Sequence, residues 1–470
     1  MLAPFIYLVV VVARYSVEVP FADQWELVPV LDKSYRGELT FGDLWAQHNE
    51  HRIFFPRLIM LGLARATHWR IGCELGLNIL LGLALLALLV WQIRRTARML
   101  QASELRWALP ASSLLVFSMS QFQNWLWGWQ MQIFLSVLAV TGGIMLLANG
   151  RFTWAKFASA AALGFVASHS FANGILFWPI GVALLTCDSP APKTGSAGIL
   201  PARAFRERLL TPPVLLWCLL AALTLVSYLL HYEKPARHPA LNVALKHPLE
   251  YFSYALKYLG SPCAQYGNAA VLPDSVMALA FGFGAVLLLA WATRSLVWRN
   301  QLVAVQSDAL RPYLAFASYS ILSALMTGIG RAGFGSEQAM ESRYVTLTVP
   351  LWISLVVFLI LLARQHAARP KSARVARWAL ALVLVFIALS SFLAIKQAQG
   401  IFEARSEGRA YLLQLGAHPE LKPDIDELFR VYPAKNPGIA AERLPVLVRE
   451  RLSLFRDAER PPAVPQLPAN

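Results

Sequence analysis

Eleven apolar runs recur along the chain, at Leu2–Val19, Ile71–Gln92, Trp107–Gln123, Met131–Ala148, Phe157–Ser170, Phe171–Thr186, Leu209–Leu230, Ser275–Val297, Pro312–Ile329, Tyr344–Ala363 and Trp378–Ile395. A bilayer core is crossed by about 17–25 helical residues. Inside hydrocarbon every backbone N–H and C=O must be paired within the protein, which a helix does locally. The fifth and sixth runs are short and nearly contiguous. Composition agrees, because 57% hydrophobic and 15% charged residues leave too little polar surface for a water-soluble domain of 470 residues. The expectation is an all-α membrane protein with about eleven transmembrane helices.

Charge sets the expected orientation. Arg94, Arg95, Arg98 and Arg106 follow the second run, Arg151 and Lys156 the fourth, and Lys193, Arg203, Arg206 and Arg208 the sixth. Arg294, Arg299 and Arg311 follow the eighth, and Arg364, Arg369, Lys371, Arg374 and Arg377 the tenth. Short loops rich in Lys and Arg stay cytoplasmic. These even-to-odd connections hold nearly all of the net charge of +15, so the basic balance reflects topology and no nucleic-acid partner is expected. The N-terminus is then cytoplasmic and the C-terminal tail extracytoplasmic. Arg14 and Glu18 stand where a signal-peptide cleavage site would need small residues. No Asn-x-Ser/Thr acceptor occurs, which favours a prokaryotic source and the bacterial plasma (inner) membrane.

Function is expected in the outer connections, which are the unequal ones. In the transmembrane domain 1–396 the large outer loops are 20–70 and 231–274, and 397–470 forms a helical tail whose last ten residues, Pro461–Asn470, are expected to be disordered. The first loop predicts a helix from Asp43 whose first part Pro56 kinks or ends before it continues through Leu58–Ala66. The second predicts a helix starting at Pro248 and stopping at Gly260, with Leu249, Phe252, Leu256 and Leu259 on one face. Both would lie along the membrane surface. The short turns Gln121–Gln132 and Ser168–Gly174 bring amides, His169, Asn173 and Trp125, Trp127 and Trp129 to the same side. The tryptophans suit an aromatic belt at headgroup level, or a wall on which a sugar stacks.

Two carboxylates on the first loop can do acid–base work. Asp23 stands at the membrane boundary beside Trp25 and Glu26, where desolvation would make it a stronger base than in water. Glu50 lies among His48, His51 and Arg52. Each has a structural alternative: Asp23 caps the next helical turn, and Glu50 pairs with a local arginine. Arg343, Arg52 and Arg57 can hold a phosphate in a bidentate way. His48, His51 and Glu50 could share a helix face and hold a divalent metal, although the spacing is not HExxH.

An acidic residue just past the first run, a long first outer loop, and a late outer loop ending in arginine–tyrosine, SEQAMESRYVTLTVP, together resemble the GT-C superfamily of polytopic glycosyltransferases. Several groups of that superfamily carry two adjacent acids after the first span, where this chain has Asp23-Gln24. The resemblance implies transfer of a sugar from a polyprenyl-phosphate carrier to a glycan, lipid or protein acceptor on the outer face. Asp23 would then be the catalytic carboxylate and Arg343, with Tyr344 beside it, the carrier-phosphate contact; Trp25, His51, His169, Asn173 and Trp127 are the candidate substrate contacts. The rival classes are a transporter or lipid flippase, which would place ionisable residues in mid-span, and a non-catalytic scaffold of a polysaccharide pathway.

Overall fold

The computed structural model describes residues 1–187, 209–235, 239, 246–267, 272–298, 304–365 and 369–457, and each apolar run forms helix. It is about 81% helical, and its only strands among the described residues are a two-residue pair. Pro461–Asn470, expected to be disordered, lie outside the described residues.

Among the described residues seven helices are long and apolar enough to cross a membrane, against the expected eleven. The other four runs give helices that are too short: Leu2–Tyr15, Ala108–Val116, Trp154–Ser168 and Phe177–Cys187. The Trp107–Gln123 run breaks at Phe117, after which Ser118 caps a 3-10 turn over Met119–Gln121. The Phe171–Thr186 run spends its first turn on a 3-10 segment, Ala172–Leu176. Apolar composition does not register hydrogen bonding, so it overstates helix length where the ladder breaks inside an apolar run.

The surface of the long helices identifies their solvent. Leu215, Leu219, Leu223 and Val226 form an exposed stripe on Pro212–Leu229 at spacings of one helical turn. Val375, Trp378, Leu382, Val385, Leu389 and Phe392 do the same on Pro370–Leu393. Water would not tolerate such continuous apolar stripes, whereas lipid does. The core lies around the Val345–Arg364 helix, in which every residue from Val345 to Leu362 is buried. It is enclosed by Ala304–Arg331, Pro370–Leu393, Ala108–Val116 and Asp274–Thr293. Arg343 and Tyr344 immediately precede it, so this fully enclosed helix carries the arginine–tyrosine pair at its N-terminal end.

The helix expected from Pro248 to Gly260 forms with those bounds, but it is embedded in the bundle and does not offer the expected face. Tyr254, Ala255, Lys257, Tyr258, Leu259 and Gly260 are its buried residues, all in its C-terminal half, while Leu249 and Phe252 are exposed. Glycines decide this. A Cβ at Gly282 would stand 1.8 Å from the Leu256 carbonyl oxygen, and one at Gly260 would stand 1.9 Å from that of Ala278, so the two backbones touch. Gly282→Val should therefore destabilise the protein by about 1–3 kcal/mol or more, because the obstruction is main chain that cannot rotate away. Thermal unfolding in detergent measures this; an unchanged midpoint would mean the helices can separate freely.

The tail belongs to the same body. Ile395–Ala417 follows Pro370–Leu393 with one intervening residue, so the 396/397 boundary falls within helix. Beyond it, Ile425–Phe429 packs on Ile395–Ala417 and Gly438–Arg449, and Gly438–Arg449 packs back on the first loop. The Ala22 N–H donates to the Val431 carbonyl at 2.9 Å, and the Ser453 N–H to that of His68 at 2.9 Å. Arg443 donates to the Trp25 carbonyl at 2.7 Å and stands 3.0 Å from Glu26, which also accepts from the Tyr432 hydroxyl at 2.7 Å.

Candidate active site

The connections that follow odd-numbered runs, together with the tail, converge on one cavity of about 980 Å³. Its lining takes Asp23 and His48–His51 from the first loop, Gln130 and Gln132 from the second connection, and Phe171–Asn173 from the third. Tyr232 and Lys234, then Arg331, Arg343 and Tyr344, and finally Phe429 and Lys435 of the tail complete it.

Asp23 is presented by the 3-10 turn Ala22–Leu27, which the segment 16–21 joins to the first helix, Leu2–Tyr15. Gln24 holds that turn. Its Oε1 accepts from the Phe21 N–H at 3.1 Å and its Nε2 donates to Glu74 at 2.5 Å, while the Trp69 indole donates to the other Glu74 oxygen at 2.9 Å. The glutamine amide accepts through its oxygen and donates through its nitrogen, which a carboxylate cannot do, and a second acid here would face the buried Glu74 carboxylate. The Asp-Gln departure from the paired-acid pattern thus has a local cause. Gln24 provides the cap that Asp23 was one candidate to provide, and the Asp23 carboxylate turns to the cavity, 3.6 Å from His48 Nε2.

The helix expected from Asp43 to Ala66 is interrupted. Thr40 caps a short helix, Phe41–Trp45, with Asp43 completing the capping box. An antiparallel pair follows, Gln47–His48 against His51–Arg52, turned by Asn49 at φ +48°, and helix resumes over Phe54–Thr67 with Pro56 in its first turn. Proline is tolerated there because first-turn N–H groups have no helical partner, so Pro56 opens the second helix and does not end the first. Arg57 and Arg52 hold this fold-back and lie outside the cavity lining. Arg57 donates to the carbonyls of Leu44 and Ala46 at 2.7 and 2.6 Å, at the end of the short helix. Arg52 donates to those of Tyr228 at 2.5 Å, Trp45 at 2.7 Å and Leu230. Both donate to backbone carbonyls, so neither fills the phosphate-binding role expected of it.

His48 and His51 are cross-strand partners and not neighbours on a helix face, and each meets a different carboxylate. The Ala172 N–H donates to His51 Nδ1 at 3.2 Å, so the neutral ring carries its proton on Nε2, 3.3 Å from Glu50. Among the described residues no group of three or more His, Cys, Asp or Glu side chains is arranged to hold a metal ion.

Glu50 pairs with Arg331, 281 positions away, and not with the local Arg52. Arg331 Nε donates to Glu50 Oε1 at 3.0 Å, and a second guanidinium N–H reaches the same oxygen. Burial would raise the Glu50 carboxyl, but His51 and Arg331 outweigh it and hold it well below the usual carboxylate range. Glu50→Gln should cost roughly 1–3 kcal/mol, less than a fully enclosed pair because both side chains keep some exposure. In a double-mutant cycle with Arg331→Gln the losses should be less than additive; additive losses would mean that the pair is not coupled.

Asp23 titrates differently from the sequence expectation. Burial raises its pKa, but the hydrogen bond and charge of His48, with Arg343 and His51, outweigh that, and the carboxyl lies below its ordinary value. It is a weaker base than a free aspartate and is ionised throughout the physiological range. Arg343 is the complementary group. Among the described residues it makes no ion pair, and its buried Nε has no hydrogen-bond partner. The carbonyl oxygens of the Gln130 and Gln132 side chains are likewise buried without partners.

Other expected contacts fall elsewhere. Trp25 and Trp127 are buried away from the lining, with the Trp127 indole donating to the Phe21 carbonyl at 3.0 Å. Trp125 packs on Phe134 and Trp129 edge-on to His48, so these residues form neither an exposed headgroup belt nor a sugar-stacking wall. His169 is fully buried, its ring nitrogens near the Phe165 carbonyl at 3.1 Å and the Ser227 hydroxyl at 3.2 Å. Asn173 does line the cavity, anchored to Thr327 at 3.2 Å. Arg331 and Lys435 were missed. The sequence offers for Arg331 only its place two residues past the Pro312–Ile329 run, at the same end of the spans as Arg343; for Lys435 it offers none. Compared with known proteins, the chain matches no family model, no curated protein and no solved structure.

Proposed function

We propose that the chain is a membrane glycosyltransferase that moves a sugar from a polyprenyl-phosphate carrier to a cell-envelope acceptor, by chemistry like that of the GT-C enzymes it resembles. The observation that carries this reading is the sharing of one cavity by the ionised Asp23 carboxylate and the unpaired Arg343 guanidinium. With its Nε buried and unpartnered and no carboxylate within ion-pair distance among the described residues, the guanidinium can take up an anion, and phosphate fits its fork. Arg343 also precedes the N-terminus of the central helix, where the helix dipole favours negative charge.

In this scheme the carrier phosphate lies on Arg343, with the sugar toward Asp23. The acceptor oxygen bonds to the anomeric carbon, the bond from that carbon to the phosphate oxygen breaks, and polyprenyl phosphate leaves as an anion held by Arg343. The acceptor proton passes to Asp23. A weak base suffices because the hydroxyl becomes acidic only as its new bond forms, and the phosphate departs without protonation. The unpartnered oxygens of Gln130 and Gln132 are available to sugar hydroxyls. Glu50, tied to Arg331 and His51, positions the hairpin.

The basic connections support a cytoplasmic face opposite the cavity, in the plasma membrane of a bacterium. Single cysteines at Arg98 and Ser372 should then be protected from an impermeant thiol reagent in intact cells, and one at the exposed His418 should react; the reverse pattern would invert the orientation. The function itself is tested in proteoliposomes with a radiolabelled polyprenyl-phosphate sugar and a glycan acceptor. Transfer that requires Asp23 supports the reading. Movement of the lipid across the bilayer without transfer would make the protein a flippase.

A further inference from the structure

A second recess lies at the other end of the Ile71–Met99 helix, whose 29 residues span roughly 43 Å at 1.5 Å each. It is a groove of about 730 Å³ with Arg94, Arg98 and Arg106 over an apolar floor that includes Val90, Leu105 and Leu109. Among the described residues none of the three arginines has an ion-pair partner, and Glu104, the acid nearest in sequence, stands 3.7 Å from Arg364 instead. Exposed Trp91 and Trp107 flank the groove, with the Arg106 guanidinium 5.4 Å from the Trp107 ring centre.

The groove does not end at its apolar floor. It shares Ala87 and Trp91 with a trough of about 810 Å³ between Ile71–Met99, Met131–Ala148 and Trp154–Ser168. Leu88, Leu135, Leu138, Leu163 and Val166 wall that trough, and no charged side chain enters it. Gly142 stands on its wall, where a Cβ would meet Leu163 at 3.4 Å and Leu88 at 3.7 Å, so any larger side chain would extend into the trough. Ala87, Trp91, Arg94 and Arg98 follow one another at spacings of four, three and four, so one helix face changes from apolar to basic as it leaves the span.

We infer that this composite recess is a binding site for an anionic glycerophospholipid, with an acyl chain in the trough and the phosphate on Arg94, Arg98 and Arg106. Three uncompensated guanidiniums at one end and a purely apolar channel at the other match an amphiphile with an acidic head. Basic pockets between transmembrane helices hold lipid head groups in this manner. A zwitterionic lipid would leave the arginines uncompensated. The site stands on the bundle's contact with lipid and does not depend on the glycosyl-transfer reading.

Native mass spectrometry of the detergent-purified full chain, titrated with dioleoyl phosphatidylglycerol or dioleoyl phosphatidylcholine, tests it. One phosphatidylglycerol should bind at concentrations at least tenfold below those needed for phosphatidylcholine. Arg94→Gln/Arg98→Gln/Arg106→Gln should abolish that preference, whereas Arg151→Gln/Arg374→Gln, on other basic connections, should keep it. Gly142→Leu, which fills the trough and leaves the arginines, should weaken phosphatidylglycerol binding at least fivefold with an unchanged unfolding midpoint. Equal binding of the two lipids, retained preference in the triple variant, or the same loss in the control pair would overturn the site. Tighter binding of polyprenyl phosphate than of phosphatidylglycerol would overturn the choice of occupant.

Discussion

Asp23→Asn should lower sugar transfer by about 10²–10⁴ while the protein inserts and purifies as before, because the amide keeps the size and much of the hydrogen bonding but cannot take the proton. The expectation rests on position: Asp23 faces the cavity and is held by a turn whose cap is Gln24, so its loss does not loosen the turn. Glu50→Gln should reduce transfer less, since that carboxylate is already committed to Arg331 and His51. The pH profile distinguishes the two roles. His48 and the arginine hold the Asp23 carboxyl below its ordinary value, so the reactive anion persists as pH falls and is lost only below the usual aspartate pKa of about 3.9. His48→Gln removes the largest opposing influence, and the acid limb of kcat/KM should move upward. Undiminished transfer by Asp23→Asn and by the double variant with Glu50→Gln would remove the carboxylate mechanism.

Arg343→Gln should raise KM for the carrier and cut kcat/KM by about 10²–10³, equivalent to roughly 3–4 kcal/mol of lost charge-assisted contact. Arg343→Lys should recover part of this, since an ammonium keeps the charge without the planar fork. Product inhibition gives an independent readout: polyprenyl phosphate should inhibit the wild type and bind the glutamine variant far more weakly. Stability should separate this arginine from Arg331. No carboxylate is left alone when Arg343 is removed, so the unfolding midpoint should stay level or rise, whereas loss of Arg331 strands Glu50. Equal inhibition of both proteins by polyprenyl phosphate would show that Arg343 is not the phosphate contact.

The site was legible in the sequence where a residue is fixed by its own neighbourhood and illegible where its partner is distant. Asp23 follows the first apolar run by a few residues, and Arg343 precedes the central helix by two, so each is carried to the cavity end of a helix by connectivity alone. Arg52 and Arg57 read equally well as phosphate ligands, yet both donate to carbonyls that become available only once the hairpin closes against Pro212–Leu229 and the short Phe41–Trp45 helix. Asn49 is the residue that could have warned of this, since asparagine accepts the left-handed backbone of a tight turn. The tryptophans misled for a related reason: an indole suits a headgroup belt and a buried contact equally, and burial depends on which elements close over it.

Class, helix content and the segregation of basic connections followed from apolar run length and the cost of carrying charge through lipid, quantities additive along the chain and independent of fold. The same additivity is blind to hydrogen bonding: Phe117 and Phe171 are apolar residues at which the helical ladder nevertheless breaks, so run length does not give helix length. The pairing of Glu50 with Arg331 across 281 positions, the use of Gln24 to satisfy both Phe21 and Glu74, the contact of Gly260 with Gly282, and the arrival of Lys435 at the cavity arose from packing. These are relations between residues that no local window contains, since each needs two surfaces brought within a few ångströms before its hydrogen bonds, charges or missing side chains acquire any energy.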